Sequence, residues 1–168
     1  GRDFIKRLIG LPGDQIQMIG GVLHINGTAV QMEADGMFEE VNLPQGPQAS
    51  PPQCMTNTPP GGQCLKERYI ETLPNGVQYD TIDARRRETD DMEPVKIPAG
   101  HVFLMGDNRD NSSDSRVPEA LGGLGGPVSW DRIGGRAEII TFSVDGSTGL
   151  NPATWISSLR GDRAGTSL

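Results

Sequence analysis

The sequence predicts a mainly β protein: an antiparallel β-sheet core with an inserted β-ribbon subdomain and a short C-terminal helix. Three observations predict it. Glycine and proline number 23 and 13 among 168 residues, so turn formers are dense. Apolar residues fall in short runs of strand length rather than in long helical periods. Asn26-Gly27 and Asn75-Gly76 each join two such runs, the strongest two-residue hairpin signal.

The elements follow in order. "FIKRLIGLPGDQIQMIGGVLHINGTAV" reads as three short strands with tight turns. Pro12-Gly13 suits the centre of a type II turn, where glycine supplies the positive φ. Residues 44–63 are rich in Pro, Gln and Gly without an apolar period and read as an exposed excursion. "KERYIETLPNGVQYDTI" is a second hairpin, followed by a charged link over 85–93. "HVFLM" is a continuous apolar run and reads as a buried strand; "GGRAEIITFSV" is another strand. "NPATWISSLRGDR" predicts a short helix with Asn151 as N-cap, Pro152 in the first turn, and Trp155, Ile156 and Leu159 on one face. The division is a core of 1–27 and 96–150, a ribbon of 28–95, and a terminal helix and tail of 151–168.

Net charge is −7 with a pI near 4.8, which argues against a nucleic-acid partner. Arg85, Arg86 and Arg87 form the one basic run, and Glu88, Asp90, Asp91 and Glu93 cancel it, so it reads as a solvated face. No stretch approaches the roughly 20 apolar residues of a membrane-spanning helix. Cys54 and Cys64, without a second pair or a neighbouring histidine, do not make a zinc site; a disulfide and two free thiols remain equally open. His24 and His101 are single histidines in strands without a nucleophile-elbow context.

Two stretches carry chemistry. In "FIKRLIGLPGD", strand alternation puts Lys6 and Leu8 on one face and Ile5 and Arg7 on the other. If that Lys6 face is inward, burial lowers the amine's pKa. An ordinary lysine, with pKa about 10.4, is no base at neutral pH; a drop of about 2 units, roughly 2.7 kcal/mol, makes it one. The simpler alternative is a lysine that snorkels from a sheet edge. "GDNRDNSSDSR" follows "HVFLM" directly and offers Ser112, Ser113 and Ser115, with Asp107–Arg109 and Asp114–Arg116 as possible bridges. Alone, it also reads as a polar turn that satisfies itself.

Together, "DFIKRLIGLPGD" and "GHVFLMGDNRDNSSDSR" resemble two signature segments of the bacterial signal peptidase I family, in the family's order, and "GRAEIITFSVDG" resembles its closing strand. The resemblance implies a serine endopeptidase with a Ser/Lys dyad. Lys6 matches the general base and Ser112 the serine that orients its amine. Arg7 with Asp107, and Asp114 with Arg116, match supporting salt bridges. Asp3, Phe4 and Ile5 match residues that line pockets for small substrate side chains. Substrates would be the signal peptides of secretory preproteins, cut after a small-x-small sequence, at the bacterial inner membrane with the catalytic domain facing the periplasm. No metal and no cofactor is implied, and Cys54–Cys64 becomes the expected disulfide. The family's nucleophilic serine lies in a Ser-Met segment before the lysine, after its membrane anchor. Neither matches anything in this chain, so the core is expected to lack its opening strands and the chain to be inactive alone. The Gly-rich "VPEALGGLGGPVSW" departs from the family pattern. A non-enzymatic extracytoplasmic binding module on the same scaffold, or a self-cleaving Ser/Lys repressor, are the alternatives.

Overall fold

A computed structural model describes residues 3–45 and 50–138. They form ten strands in three antiparallel sheets, with no α-helix among the described residues. β1 (Arg7–Gly10) pairs with β9 (His101–Met105), which also pairs with the short β10 (Val128–Ser129). β2 (Gln15–Ile19) lies between β3 (Val22–Ile25) and β8 (Met92–Lys96), with β4 (Thr28–Ala29) beyond β3. β5 (Gln31–Val41), β6 (Gln63–Thr72) and β7 (Gln78–Asp83) make the third sheet, in that order.

The predicted turns explain the tight connections. Gly13 has φ +94 and the Asp14 amide donates to the Leu11 carbonyl, closing the turn between β1 and β2. Asn26 and Gly27 both take positive φ, 54° and 80°, which matches the right-handed twist of β3 and β4. The Leu73–Val77 turn joins β6 and β7, with the Gly76 amide donating to the Leu73 carbonyl. The strand expected at "GGRAEIITFSV" lies in its larger part, and the helix at "NPATWISSLRGDR" wholly, outside the described residues.

The core shows strand alternation directly: Ile16 and Met18 of β2, and Leu23 and Ile25 of β3, all point inward and are buried. Phe103 and Met105 from β9 complete it. Gly10 lets β1 come close: a Cβ there would stand 2.4 Å from the Ile97 side chain and 2.8 Å from that of Ile16. The same apolar cluster takes in Val30, Leu73 and Tyr79, so the near end of the β6–β7 hairpin is packed into it.

At the far end, Cys54 and Cys64 are joined in a disulfide with Cα atoms 5.1 Å apart, tying the excursion to β6. Lys66 is fully buried there, and its amine meets Glu40 at 2.5 Å. All three arginines of the run are exposed, as the solvated face predicts, and Arg86 pairs with Asp91 at 2.6 Å. Arg85 donates to the Cys54 carbonyl, and Arg87 donates to the Asp110 carbonyl at 3.0 Å. Both satisfy backbone groups that composition alone does not reveal.

Candidate active site

The β1–β9 register builds the site. Arg7 lies opposite Met105, so one step further the antiparallel pairing brings Lys6 opposite Gly106. At Gly106 the chain leaves β9 and folds back on itself: the Ser115 amide donates to the Leu104 carbonyl, and the Leu104 amide donates to Ser115 Oγ. The return places Ser112 beside the lysine, and Lys6 Nζ donates to Ser112 Oγ at 2.9 Å. Gly106 makes room for this contact. A Cβ at that position would lie 2.1 Å from Ser112 Oγ, 2.6 Å from its Cβ and 3.6 Å from Lys6 Nζ.

Two ion pairs flank the amine. Arg7 grips Asp107 through both carboxylate oxygens, at 2.8 and 2.9 Å. Arg116 does the same to Asp114, at 3.0 and 2.8 Å, with both side chains fully buried. Asp114 also accepts the Gly106 amide at 2.9 Å, which fastens the start of the loop to its end. Asp107 therefore pairs with Arg7, not with Arg109 as the loop read in isolation suggests.

The electrostatics follow from this pairing. Lys6 is half-buried, and loss of water pulls its pKa below the usual 10.5. Asp114 and Asp107 oppose that pull and Arg116 assists it, but each carboxylate is already engaged by a guanidinium, so desolvation prevails. Burial works against the Asp114 charge, yet the Arg116 hydrogen bonds and charge, with the Gly106 and Arg116 amides, hold its pKa below the carboxylate range. The Asp107 hydrogen bond raises that of Arg7. The result is an amine that loses its proton more readily than a free lysine, with one N–H committed to a hydroxyl.

Asp3, Phe4 and Ile5 precede β1 and are exposed, Phe4 by 47% and Ile5 by 80%. The Phe4 ring centroid is 5.8 Å from Lys6 Nζ. β1 pairs with β9 on one side only, so its other edge is open among the described residues. Ser113 has no part in the hydrogen bonds around Lys6, and Ser115 is spent on the Leu104 amide. The two histidine rings turn to nearby carbonyls, His24 to Val22 and His101 to Ala99.

Several residues of the site, or the partners they take, are not singled out by the sequence. Gly106 has a signal, a glycine ending an apolar run, but its meaning rests on Ser112 six residues on. Arg109 and Asp110 are buried rather than solvated. Arg109 meets Glu71 at 2.6 Å, and Asp110 accepts the Ala84 and Arg85 amides at 2.8 Å. Those partners come from the hairpin and its exit, tens of residues away in sequence, and no local pattern links them.

A family model described as "Signal peptidase, peptidase S26" matches residues 1–142. Relatives named signal peptidase I include that of Rickettsia canadensis (strain McKiel), 32% identical over 95% of this chain and 57% of its own length. That of Rickettsia prowazekii (strain Madrid E) is 32% identical over 94% and 56%, and that of Rickettsia bellii (strain OSU 85-389) 29% over 83% and 42%. The chain thus spans about half the length of the curated relatives it matches.

Proposed function

The chain belongs to the signal peptidase family, peptidase S26, and from that premise we propose that it carries the general-base half of a Ser/Lys serine endopeptidase that removes signal peptides from secretory preproteins. One observation carries the reading: a half-buried lysine amine, its pKa lowered by burial, donates to a serine hydroxyl at 2.9 Å. The neutral amine gives one N–H to Ser112 and keeps its lone pair for a proton. An attacking serine hydroxyl adds to the scissile carbonyl and passes its proton to Lys6. The lysine ammonium then protonates the leaving amine, and the neutral amine activates the water that hydrolyses the acyl-enzyme.

Arg7–Asp107 and Arg116–Asp114 hold the surrounding charges in pairs, so the pull of the two carboxylates on the ammonium is outweighed by burial. The open edge of β1 suits a substrate that binds as an added strand, with Asp3, Phe4 and Ile5 at its side selecting small residues in the small-x-small sequence. The attacking serine is not among the serines of these residues in this reading. It would come from a Ser-Met segment joined to the membrane anchor, with the site facing the periplasm, and residues 1–168 alone would not cleave.

The test joins such a segment to the chain and follows cleavage of a reporter preprotein with an Ala-x-Ala site. Lys6→Ala is expected to lose about 10²–10⁴-fold in rate, the usual contribution of a general base. Cleavage at the unmodified rate would remove Lys6 from the mechanism, and cleavage by residues 1–168 alone would show that the nucleophile lies within them.

A further inference from the structure

The loop that carries Ser112 is held from the ribbon side by two buried polar groups outside the motif's own ion pairs. Glu71 of β6 is only 2% exposed, and its Oε2 accepts both the Tyr79 hydroxyl, at 2.7 Å, and Arg109 Nη2, at 2.6 Å. Arg109 opens the 3-10 turn Arg109–Asn111, which leads straight into Ser112. Its carbonyl accepts Arg116 Nη2 at 2.8 Å, so Glu71 connects through Arg109 to the Arg116–Asp114 pair. Tyr79 reaches the other wall as well: the Arg7 guanidinium lies 4.3 Å from its ring centroid while gripping Asp107. The backbone repeats the connection, with the Ile82 amide donating to the Asp107 carbonyl at 2.9 Å.

A buried ion pair is a weak source of stability, because desolvation offsets most of the attraction. Breaking it would leave one buried charge uncompensated, and that ties Arg109 to Glu71. We propose that Glu71 and Tyr79, both from the inserted hairpin, are positioning residues for the Lys6 site: they fix Arg109, and through it they hold the Ser112 loop closed over the lysine amine. The inference rests on the Ser/Lys reading for its functional meaning, and on the hydrogen-bond network for its geometry.

The consequence is local hydration. Lys6 faces Asp107, Asp114 and Arg116 from the loop and the Phe4 ring from the segment before β1, beside the neighbouring Arg7; burial is the largest influence on its charge. A loop released from Glu71 admits water to the amine, and the pKa of Lys6 then rises toward its ordinary value.

The chain has three lysines, Lys6, Lys66 and Lys96, so an NMR titration of side-chain-labelled lysine resolves each, with Lys6→Ala assigning the first. In Glu71→Gln, Lys6 is expected to titrate higher by about half a pH unit or more, with Lys66 and Lys96 unmoved. Tyr79→Phe, which leaves the Glu71–Arg109 pair intact, should shift Lys6 less and in the same direction. A general loss of stability would not move one lysine selectively. In the protein carrying its nucleophile, the acid limb of kcat/KM, which reports the free enzyme, should move up by the same amount. The proposal is overturned if Lys6 titrates as before in both variants, or in Tyr79→Phe alone should Glu71→Gln fail to fold. The titration needs no catalysis, so its result stands apart from the Lys6→Ala cleavage test; active Lys6→Ala would overturn the peptidase reading and leave the positional one to the NMR data.

Discussion

Gly106 and Ser112 occupy one small volume, and at the residue scale that is where the site is most exposed to change. A methyl group at position 106 would need space now taken by the Ser112 hydroxyl, 2.1 Å away. Real Cβ atoms do not approach so closely, so Gly106→Ala must displace Ser112 and break the 2.9 Å bond from Lys6. The backbone itself does not object, since Gly106 is not among the glycines with positive φ. The fold should therefore survive while the orientation of the amine is lost. In the cleavage assay that tests the proposed function, Gly106→Ala is expected to cut the rate by about 10–100-fold, equivalent to roughly 1.4–2.7 kcal/mol of transition-state stabilisation, with an unchanged circular-dichroism spectrum. Wild-type activity would mean that the Lys6–Ser112 contact is dispensable. Lys6, Ser112 and the two flanking ion pairs were legible in the sequence because two long motifs carry them. Gly106 carries no comparable signal, because a glycine after a strand usually means only a turn.

At the scale of elements, three carboxylates meet where β7 ends. Asp83 closes that strand, Asp110 lies in the 3-10 turn before Ser112, and Asp90 ends the 3-10 turn Glu88–Asp90. Burial, then the negative charges of Asp110 and Asp90, push Asp83 up to about 6 from 3.8, helped by its hydrogen bond to Asp110. The folded protein thus keeps this proton over a range where the unfolded chain has released it. The stability it contributes is full below pH 3.8 and is lost as pH rises through about 6. Asn at this position keeps a donor for Asp110 and carries no charge. Thermal melts should show Asp83→Asn more stable than the parent at pH 7.5, with the gain shrinking at pH 4.5. An equal difference at the two pH values would mean that the carboxylate is not strained by its neighbours. Such a cluster could not be foreseen, because the three residues come from separate segments and a charged link reads as solvated until its partners are known.

The whole molecule shows why the strands were easier to read than their assembly. Period-two burial and hairpin glycines specify β2, β3, β6 and β7 locally, and a continuous apolar run specifies β9, whereas the docking of the third sheet depends on Val30, Leu73 and Tyr79 entering a cluster built mostly from other strands. That docking is uneven. The near end of β6–β7 shares the core and holds the Ser112 loop through Glu71 and Tyr79. β5 pairs with β6 along its length, yet none of its residues is buried, and it forms the outer edge of the sheet. Amide protection should report this difference, since local opening requires less free energy where few apolar contacts are lost. Native-state hydrogen exchange in increasing denaturant is expected to place β2 and β9 amides on the global unfolding isotherm. The β5 amides bonded to β6 should exchange through a smaller opening that leaves β6 and β7 protected. If β5 instead joins the isotherm of β2 and β9, the ribbon and the core unfold as one unit. The edge strand would then be as firmly coupled to the lysine site as the hairpin that braces it.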